Sequence, residues 1–187
     1  MDTHDQLVTL LATRSARRGH FVLASGRTSE LYIDARLTTM SPEGLVLIGQ
    51  LGLALVRSAF GAHVDAIGGL TLGADPVAYA ISYASASSDH PLRAFTVRKE
   101  AKAHGTGRQV EGPYRSGDRV VVIEDVITTG GSARKAVDVL RAHGAQVLGI
   151  LALVDREEGG REALEADGLS VATLTRASEI LPHLSLA

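Results

Sequence analysis

The stretch VVVIEDVITTGGS, from Val120 to Ser132, decides the fold of this chain. It begins with four β-branched residues and has no polar alternation, which predicts a strand buried on both faces of a parallel sheet. Apolar residues then recur at helical spacing, which predicts a helix; they are Ala133, Ala136, Val137 and Leu140. Gly144 stands where the C-terminal cap of this helix would be. The pattern therefore predicts a strand, a turn and a helix. The two acids and the turn lie at the carboxyl end of the strand, where open α/β sheets bind ligands.

The turn carries groups suited to holding a phosphate. Backbone N–H groups, hydroxyls and the helix N-terminus would surround the anion, with contributions from Thr128, Thr129, Gly130, Gly131 and Ser132. Glu124 and Asp125 are placed to accept hydrogen bonds from sugar hydroxyls, so the whole stretch predicts a site for a phosphate on a ribose. Two alternatives are an ordinary strand-turn-helix whose acids cap the helix, and generic nucleotide binding. The stretch has neither the G-x-x-x-x-G-K-[ST] nor the G-x-G-x-x-G pattern.

Length and composition limit the class of protein. The chain has 187 residues, which predicts one domain over residues 1–187. Its aromatic content of 4% and its 20 glycines suit an α/β protein packed with Ala, Val and Leu and rich in tight turns. A net charge of -2 gives no basic field, so no nucleic acid or membrane partner is expected. The absence of cysteines excludes disulfides and thiolate metal sites but leaves the compartment open. Because we find no secretory signal and no apolar stretch of about 20 residues, we expect a soluble cytoplasmic protein.

The hydrophobic periodicity predicts alternating strands and helices after a small N-terminal hood of about residues 1–36. In the hood, a helix is expected to end near Gly19, before two short strands over Phe21–Ser25 and Leu31–Ala35. The elements expected beyond it are a helix from Ser41-Pro42 to about Phe60, a strand over Asp65–Gly69, a helix over Asp75–Ser85, strands over Leu92–Val97 and Gln146–Val154, a helix over Arg161–Ala166, and a strand over Val171–Leu174. This order predicts a mostly parallel central sheet flanked by helices.

One long segment interrupts the alternation. It reads RKEAKAHGTGRQVEG, from Arg98 to Gly112, and shows neither apolar periodicity nor a buried anchor. It concentrates cationic side chains in an acidic protein, at Arg98, Lys99, Lys102, His104 and Arg108. A long loop in a compact domain is usually functional, and such a cluster suits the capture of a polyanion that is enclosed and then released. The alternative is a solvated surface loop.

Several segments resemble one family. Val120–Ser132 resembles the phosphoribosyl pyrophosphate (PRPP) signature of the type I phosphoribosyltransferases. Arg98–Gly105 is similar to the catalytic loop of their orotate phosphoribosyltransferase members, because the order R-K-x-x-K-x-H-G is complete. Phe21–Arg36 resembles the segment that covers the base in that family, and Gly68–Ala78 resembles its pyrophosphate loop. Asp155-Arg156 matches the position of the arginine that faces the orotate carboxylate.

The resemblance implies a fold, a reaction and a set of contacts. It implies the type I phosphoribosyltransferase fold, with a small N-terminal hood and a flexible catalytic loop. It also implies transfer of the phosphoribosyl group from PRPP to orotate, which gives orotidine 5'-monophosphate and pyrophosphate in UMP biosynthesis. The implied catalytic residues are Lys99, Lys102, His104 and Asp125. The implied PRPP contacts are Arg98, Lys99, Lys102, His104, Glu124, Asp125, Val126, Ile127, Thr128, Thr129, Gly130, Gly131 and Ser132, and the implied orotate contacts are Thr128 and Arg156.

The resemblance further implies Mg²⁺ held mainly through PRPP and water, without a metal site made of protein ligands alone. It implies a homodimer in which the loop is shared between subunits. The sequence departs from some members at Ala24 and near Gly73, where they carry Lys, and at Tyr32 and Ile33, where they stack two Phe residues.

Two alternative interpretations of the function remain. A purine phosphoribosyltransferase would share Glu124–Ser132 but would not need the Arg98–Gly105 pattern or Arg156. A PRPP-sensing regulator would ordinarily add a DNA-binding domain and a basic face.

Overall fold

The computed structural model of the chain describes residues 2–22, 28–100 and 109–184. The first part contains helix α1 (Thr3–Leu10), a π-helical turn (Leu11–Ser15), strands β1 (Ala16–Val22) and β2 (Thr28–Ile33), and helix α2 (Arg36–Thr39). The second part contains α3 (Pro42–Phe60), β3 (Ala66–Leu70), α4 (Ala74–Ala84), β4 (Arg93–Val97), β5 (Val110–Glu111), β6 (Arg119–Ile127), α5 (Gly131–Ala142), β7 (Gln146–Asp155), α6 (Gly160–Ala166), β8 (Val171–Arg176), α7 (Ala177–Ile180) and a 3₁₀ turn (Leu181–His183).

The central sheet has six strands in the order β5-β4-β3-β6-β7-β8. Every neighbouring pair is parallel except β4 and β5, which are antiparallel. β1 and β2 form a separate antiparallel pair. The prediction of a mostly parallel sheet flanked by helices is therefore confirmed.

The sheet is buried on both faces, as the apolar run of β6 predicts. Residues that alternate along the strands contribute to two different cores. Val121 and Ile123 lie in the core that also contains Ile48 of α3 and Ile81 of α4. Val120 and Val122 lie in the opposite core, with residues of α5: Ala133, Ala136, Val137 and Leu140. Helices thus cover both faces, which favours the carboxyl ends of the strands as the place for a ligand.

The start of α3 follows the cap signal in the sequence. The Ser41 hydroxyl accepts a hydrogen bond from the Gly44 N–H at 3.1 Å, and Pro42 occupies the first turn. This arrangement satisfies one of the N–H groups that a helix leaves without an internal partner.

Two expectations about local structure are wrong. The N-terminal helical segment ends at Ser15 rather than near Gly19, because the next residues form β1, which pairs with β2 and contains Gly19. The segment Arg98–Gly112 contains a strand, because Val110 is buried and pairs with Val97. Both errors come from pairing with distant residues, which local periodicity does not register.

Helix α3 also corrects the expectation about apolar stretches. By length and composition it is the one helix among the described residues that is apolar enough to cross a membrane. Core helices of proteins without membrane segments meet the same criteria. The structure places Ile48 and Val56 of α3 fully in the core.

The central packing yields a stability prediction. Leu151 of β7 is completely buried, so Leu151→Ala should lower the free energy of unfolding by about 2–5 kcal/mol. Leu37→Ala is the matched control, because Leu37 is 49% exposed and its loss should cost less than about 0.5 kcal/mol. Urea denaturation followed by circular dichroism measures both. Equal losses would contradict the assignment of Leu151 to the core.

Candidate active site

The main cavity lies where the strand order reverses. Within the sheet, β3 has β4 as its neighbour on one side and β6 as its neighbour on the other, and the chain visits β4 before it returns to β6. Loops that leave adjacent strands in opposite directions open a crevice at their carboxyl ends. A cavity of about 440 Å³ occupies this position. Its walls combine the hood, the loop after β3 and the ends of β6 and β7, through Tyr32, Ile33, Asp34, Ala35, Arg36, Leu70, Thr71, Leu72, Gly73, Lys99, Glu124, Asp125, Val126, Thr128, Ser132 and Arg156.

The two acids of β6 face this cavity but differ in environment. Glu124 is buried, whereas Asp125 is partly exposed and accepts a hydrogen bond from the Val126 N–H at 2.9 Å. Burial raises the pKa of Glu124 well above its ordinary value, and the neighbouring Asp125 raises it further. The cavity therefore contains a carboxyl group that resists ionisation next to a more accessible one.

A small second cavity lies at the predicted phosphate turn. It has a volume of about 40 Å³ and is lined by Glu124, Val126, Ile127, Thr128, Thr129, Gly130, Gly131 and Ser132. Gly130 has a φ of 79°, a conformation that favours glycine, and α5 begins at the next residue. The N-terminus of α5 thus adds its positive end to the turn. Because Glu124, Thr128 and Ser132 line both cavities, the two form one continuous region.

Arg156 lies under the hood. Its side chain is 4% exposed, and its Nη2 donates to the Leu31 carbonyl oxygen at 2.6 Å and to the Glu158 carboxylate at 2.7 Å. Its own backbone N–H bonds the Ile127 carbonyl oxygen. The guanidinium is therefore held in one place at the cavity wall, with contacts to β2 and to the end of β6.

The other predicted site residues differ in whether they line a cavity. Lys99 lines the main cavity, but Arg98 lies 3.7 Å from Glu111 and does not line it. Ile127 is fully buried and reaches only the small cavity. Lys102 and His104 lie outside the described residues, as does Ala24.

Several cavity residues were not singled out one by one from the sequence. Asp34 and Arg36 of the hood form a two-point ion pair with distances of 2.8 and 3.1 Å, and Arg36 lowers the pKa of Asp34. The signal for them was the Y-x-D-x-R order within Phe21–Arg36. Thr71 and Leu72 join the cavity from the loop after β3, and their peptide bond is cis.

Gly73 brings the loop after β3 close to β6. A Cβ atom on this residue would come within contact distance of the Asp125 carboxylate, which would have to shift.

The oxygen donors at the cavity fit a magnesium ion carried by a substrate. Asp125 offers a partly exposed carboxylate, and Mg²⁺ prefers oxygen ligands while it keeps several waters. Among the described residues, the one cluster of three metal-ligating side chains is Asp2, His4 and Asp5, at the start of α1.

Comparisons with known proteins agree with this geometry. Residues 40–171 match the family described as "Phosphoribosyl transferase domain". The orotate phosphoribosyltransferase of Aquifex aeolicus (strain VF5) is 47% identical over 180 residues, which cover 95% of this chain and 97% of that protein. A crystal structure of Mycobacterium tuberculosis H37Rv orotate phosphoribosyltransferase with Fe(III) dicitrate has a TM-score of 0.82 at 39% identity, and covers 96% of this chain and 99% of its own. The same Mycobacterium enzyme with PRPP gives a TM-score of 0.79 at 36% identity, over 96% and 99% of the two chains.

The chain belongs to the phosphoribosyltransferase family. Within that family, the relatives named above are orotate phosphoribosyltransferases, and they match this chain over nearly its whole length.

The buried acid generates a prediction about pH. Because the pKa of Glu124 is raised in the folded protein, its ionisation opposes folding as the pH rises above 4.5, the ordinary glutamate value. Glu124→Gln should therefore be more stable than the wild type at pH 7 to 8, with the advantage shrinking toward pH 4.5. Thermal unfolding across this range measures the difference. The exposed Glu162→Gln serves as the control, and a Glu124→Gln advantage that is constant with pH would contradict the raised pKa.

Proposed function

We propose that this protein transfers the 5-phosphoribosyl group of PRPP to orotate, which yields orotidine 5'-monophosphate and pyrophosphate in pyrimidine (UMP) biosynthesis. The observation that carries the proposal is the geometry of the cavity. A phosphate turn opens into a larger cavity lined by two acids, and the buried cation Arg156 stands in its wall. This arrangement suits a ribose phosphate and a small anionic base on the same surface.

The 5'-phosphate of PRPP would bind at Thr128 to Ser132, within reach of the backbone N–H groups and the N-terminus of α5. Glu124 and Asp125, one step earlier on β6, would accept hydrogen bonds from the ribose 2' and 3' hydroxyls. The negative charge of Asp125 would also lie close to the sugar as it develops positive charge in the transition state. Both contributions are positioning and electrostatics.

The reaction is a displacement at the anomeric carbon. A ring nitrogen of orotate forms the new bond to that carbon and loses its proton, and the bond to pyrophosphate breaks with both electrons leaving on the pyrophosphate. The released pyrophosphate can take up this proton. Lys99, with Lys102, His104 and Arg98 from the same segment, would neutralise this growing charge. Cations brought in by a closing segment stabilise the transition state more than the ground state. Bound magnesium would supply further neutralisation of the pyrophosphate oxygens.

Arg156 would hold the orotate carboxylate, with Thr128 close to the base. A guanidinium can pair with a carboxylate through two parallel hydrogen bonds, and the contacts to Leu31 and Glu158 fix its orientation before the substrate arrives. A purine base has no carboxylate, so Arg156 favours orotate over adenine or hypoxanthine. An assay with PRPP, magnesium and a panel of bases decides between them.

Two substitutions separate the two halves of the site. Arg156→Ala should raise the KM for orotate by about 30-fold to 1000-fold, equivalent to about 2–4 kcal/mol, because a charge-assisted contact is lost. Thr129→Val should instead raise the KM for PRPP more than the KM for orotate, because Thr129 lines the phosphate turn. Initial rates with each substrate varied in turn measure both effects.

Arg141→Ala is the control for the loss of an arginine, because Arg141 is exposed on α5 and outside both cavities. Equal weakening of orotate and PRPP by Arg156→Ala would contradict the assignment of Arg156. A wild-type preference for adenine or hypoxanthine would overturn the orotate proposal and leave the PRPP-binding fold.

We also infer that the protein acts in the cytoplasm as a homodimer with the Arg98–Gly105 segment shared between subunits, as the family resemblance implies. An apolar surface formed by the end of α2, by α3 and by α4 supports the dimer. Its exposed residues include Met40, Val46, Tyr79 and Tyr83, with Tyr83 85% exposed. A concavity of about 620 Å³ between α3 and α4 lies within the same surface. Contiguous apolar surfaces of this kind mark protein interfaces.

A charge placed on that surface should prevent association. Tyr83→Glu is expected to convert the dimer to a monomer in analytical ultracentrifugation, because the interface would have to bury an unpaired carboxylate. Lys135→Glu on the exposed side of α5 introduces the same side chain elsewhere and should leave the dimer intact. A dimeric Tyr83→Glu variant would place the interface on another surface.

A further inference from the structure

Asp75 connects the loop after β3 to the end of β4. It lies in the first turn of α4, is 7% exposed, and uses both carboxylate oxygens. Oδ2 accepts from the Thr71 hydroxyl at 2.8 Å, and Oδ1 accepts from the Thr96 hydroxyl at 2.8 Å. One buried carboxylate therefore joins two segments that are distant in sequence.

Both of these segments lead directly into the cavity. Thr71 and its neighbours Leu72 and Gly73 line it, and they form the part of the chain that resembles a pyrophosphate loop. Thr96 lies one residue before the end of β4, from which the chain continues to Lys99. A backbone hydrogen bond of 2.9 Å from the Thr71 N–H to the Val97 carbonyl oxygen runs beside the carboxylate link.

The directions of these hydrogen bonds follow from the number of protons that the hydroxyl groups can donate. Each hydroxyl has one proton to donate, and Thr71 and Thr96 both donate theirs to Asp75. The Tyr79 hydroxyl, 2.9 Å from Thr96 Oγ1, is therefore the donor in that contact. Each carboxylate oxygen thus holds one threonine hydroxyl in a single orientation.

The charge of Asp75 works against the binding of a polyanion nearby. A negative side chain close to a pyrophosphate site weakens anion binding by direct repulsion. Its burial is made tolerable by the two hydroxyl donors and by the N-terminus of α4. If Asp75 favours pyrophosphate binding, it must do so by holding the loop in position, because the charge of the carboxylate cannot assist the binding of an anion.

We propose that Asp75 is a positioning residue for the leaving pyrophosphate, which it serves by holding the Thr71–Gly73 loop against the strand end that leads to Lys99. This role rests on the proposed function, because it requires pyrophosphate to bind at that loop. Asp75 contacts no substrate and acts through Thr71 and Thr96. The proposal therefore concerns the KM for pyrophosphate and PRPP rather than recognition of the base.

The test uses the reverse reaction, in which orotidine 5'-monophosphate and magnesium pyrophosphate are the substrates. Asp75→Ala removes both acceptors and should raise the KM for pyrophosphate, and for PRPP in the forward direction, by about 10-fold to 100-fold, as expected for a misplaced binding group. The KM values for orotate and orotidine 5'-monophosphate should change by less than about twofold, because base recognition is separate. Calorimetric titration with magnesium pyrophosphate provides a second readout that does not depend on turnover.

Two further variants keep the proposal testable if Asp75→Ala folds poorly. Asp75→Asn preserves the shape, since its oxygen can accept from Thr71 while its amide donates to Thr96, and it should recover most of the pyrophosphate affinity. Thr71→Val removes the hydroxyl that Asp75 holds and should raise the KM for pyrophosphate in the same direction as Asp75→Ala.

Ser82→Ala is the matched structural control. The Ser82 hydroxyl donates to the Leu92 carbonyl oxygen at 2.7 Å, so its loss removes a link between α4 and the residue before β4, away from the cavity. It should lower stability without changing any KM.

The outcomes are distinct. A wild-type protein inactive with orotate and PRPP in both directions would overturn the proposed function. An active wild type whose Asp75→Ala and Thr71→Val variants lose stability but keep the wild-type KM for pyrophosphate would overturn only the role of Asp75.

Discussion

The parallel pairing of β3 with β6 is the constraint on which the site depends. Gly69 pairs with Ile123 in this register, and a Cβ atom at Gly69 would collide with the Ile123 carbonyl oxygen. Gly68, on the side of β4, is limited in the same way by the Phe95 carbonyl oxygen. Because β3 lies between β4 and β6, the loop after β3 and the turn after β6 diverge at adjacent strand ends, and the cavity opens between them.

The charged groups at this opening differ in how firmly the fold holds them. The acids are built into the sheet and its helices: Glu124 is buried on β6, and Asp75 is buried at the start of α4. Arg156 is also fixed, by contacts to β2 and to Glu158. Lys99, in contrast, is exposed after the end of β4. Among the described residues of the site, the two acids and Arg156 therefore lie on packed elements, whereas Lys99 lies on exposed chain beyond the sheet.

The sequence predictions are accurate where the structure depends on residues close in the chain, and they fail where it depends on distant residues. The cap at Ser41-Pro42, the buried run of β6 and the glycine after α5 depend on neighbours a few residues away, and the structure agrees with all three. The start of β1 and the existence of β5 depend on partners across the sheet, and both were missed. Short helix α2 was also absent from the predictions. Its four residues are too few to show a period.

The sequence by itself determined the strand, turn and helix that carry Glu124, Asp125 and Thr128–Ser132, because their order is a local property of the chain. Arg156 became a candidate through the family resemblance, because it matches the position of the family's arginine at the end of an apolar strand. Only the tertiary structure decided what surrounds these groups. The hydrogen bond from Arg156 to Leu31 joins residues 125 positions apart, and Asp75 reaches Thr96 across 21 positions. Contacts of this kind follow from how the sheet orders its strands, and hydrophobic periodicity carries no information about which distant loops that order brings together.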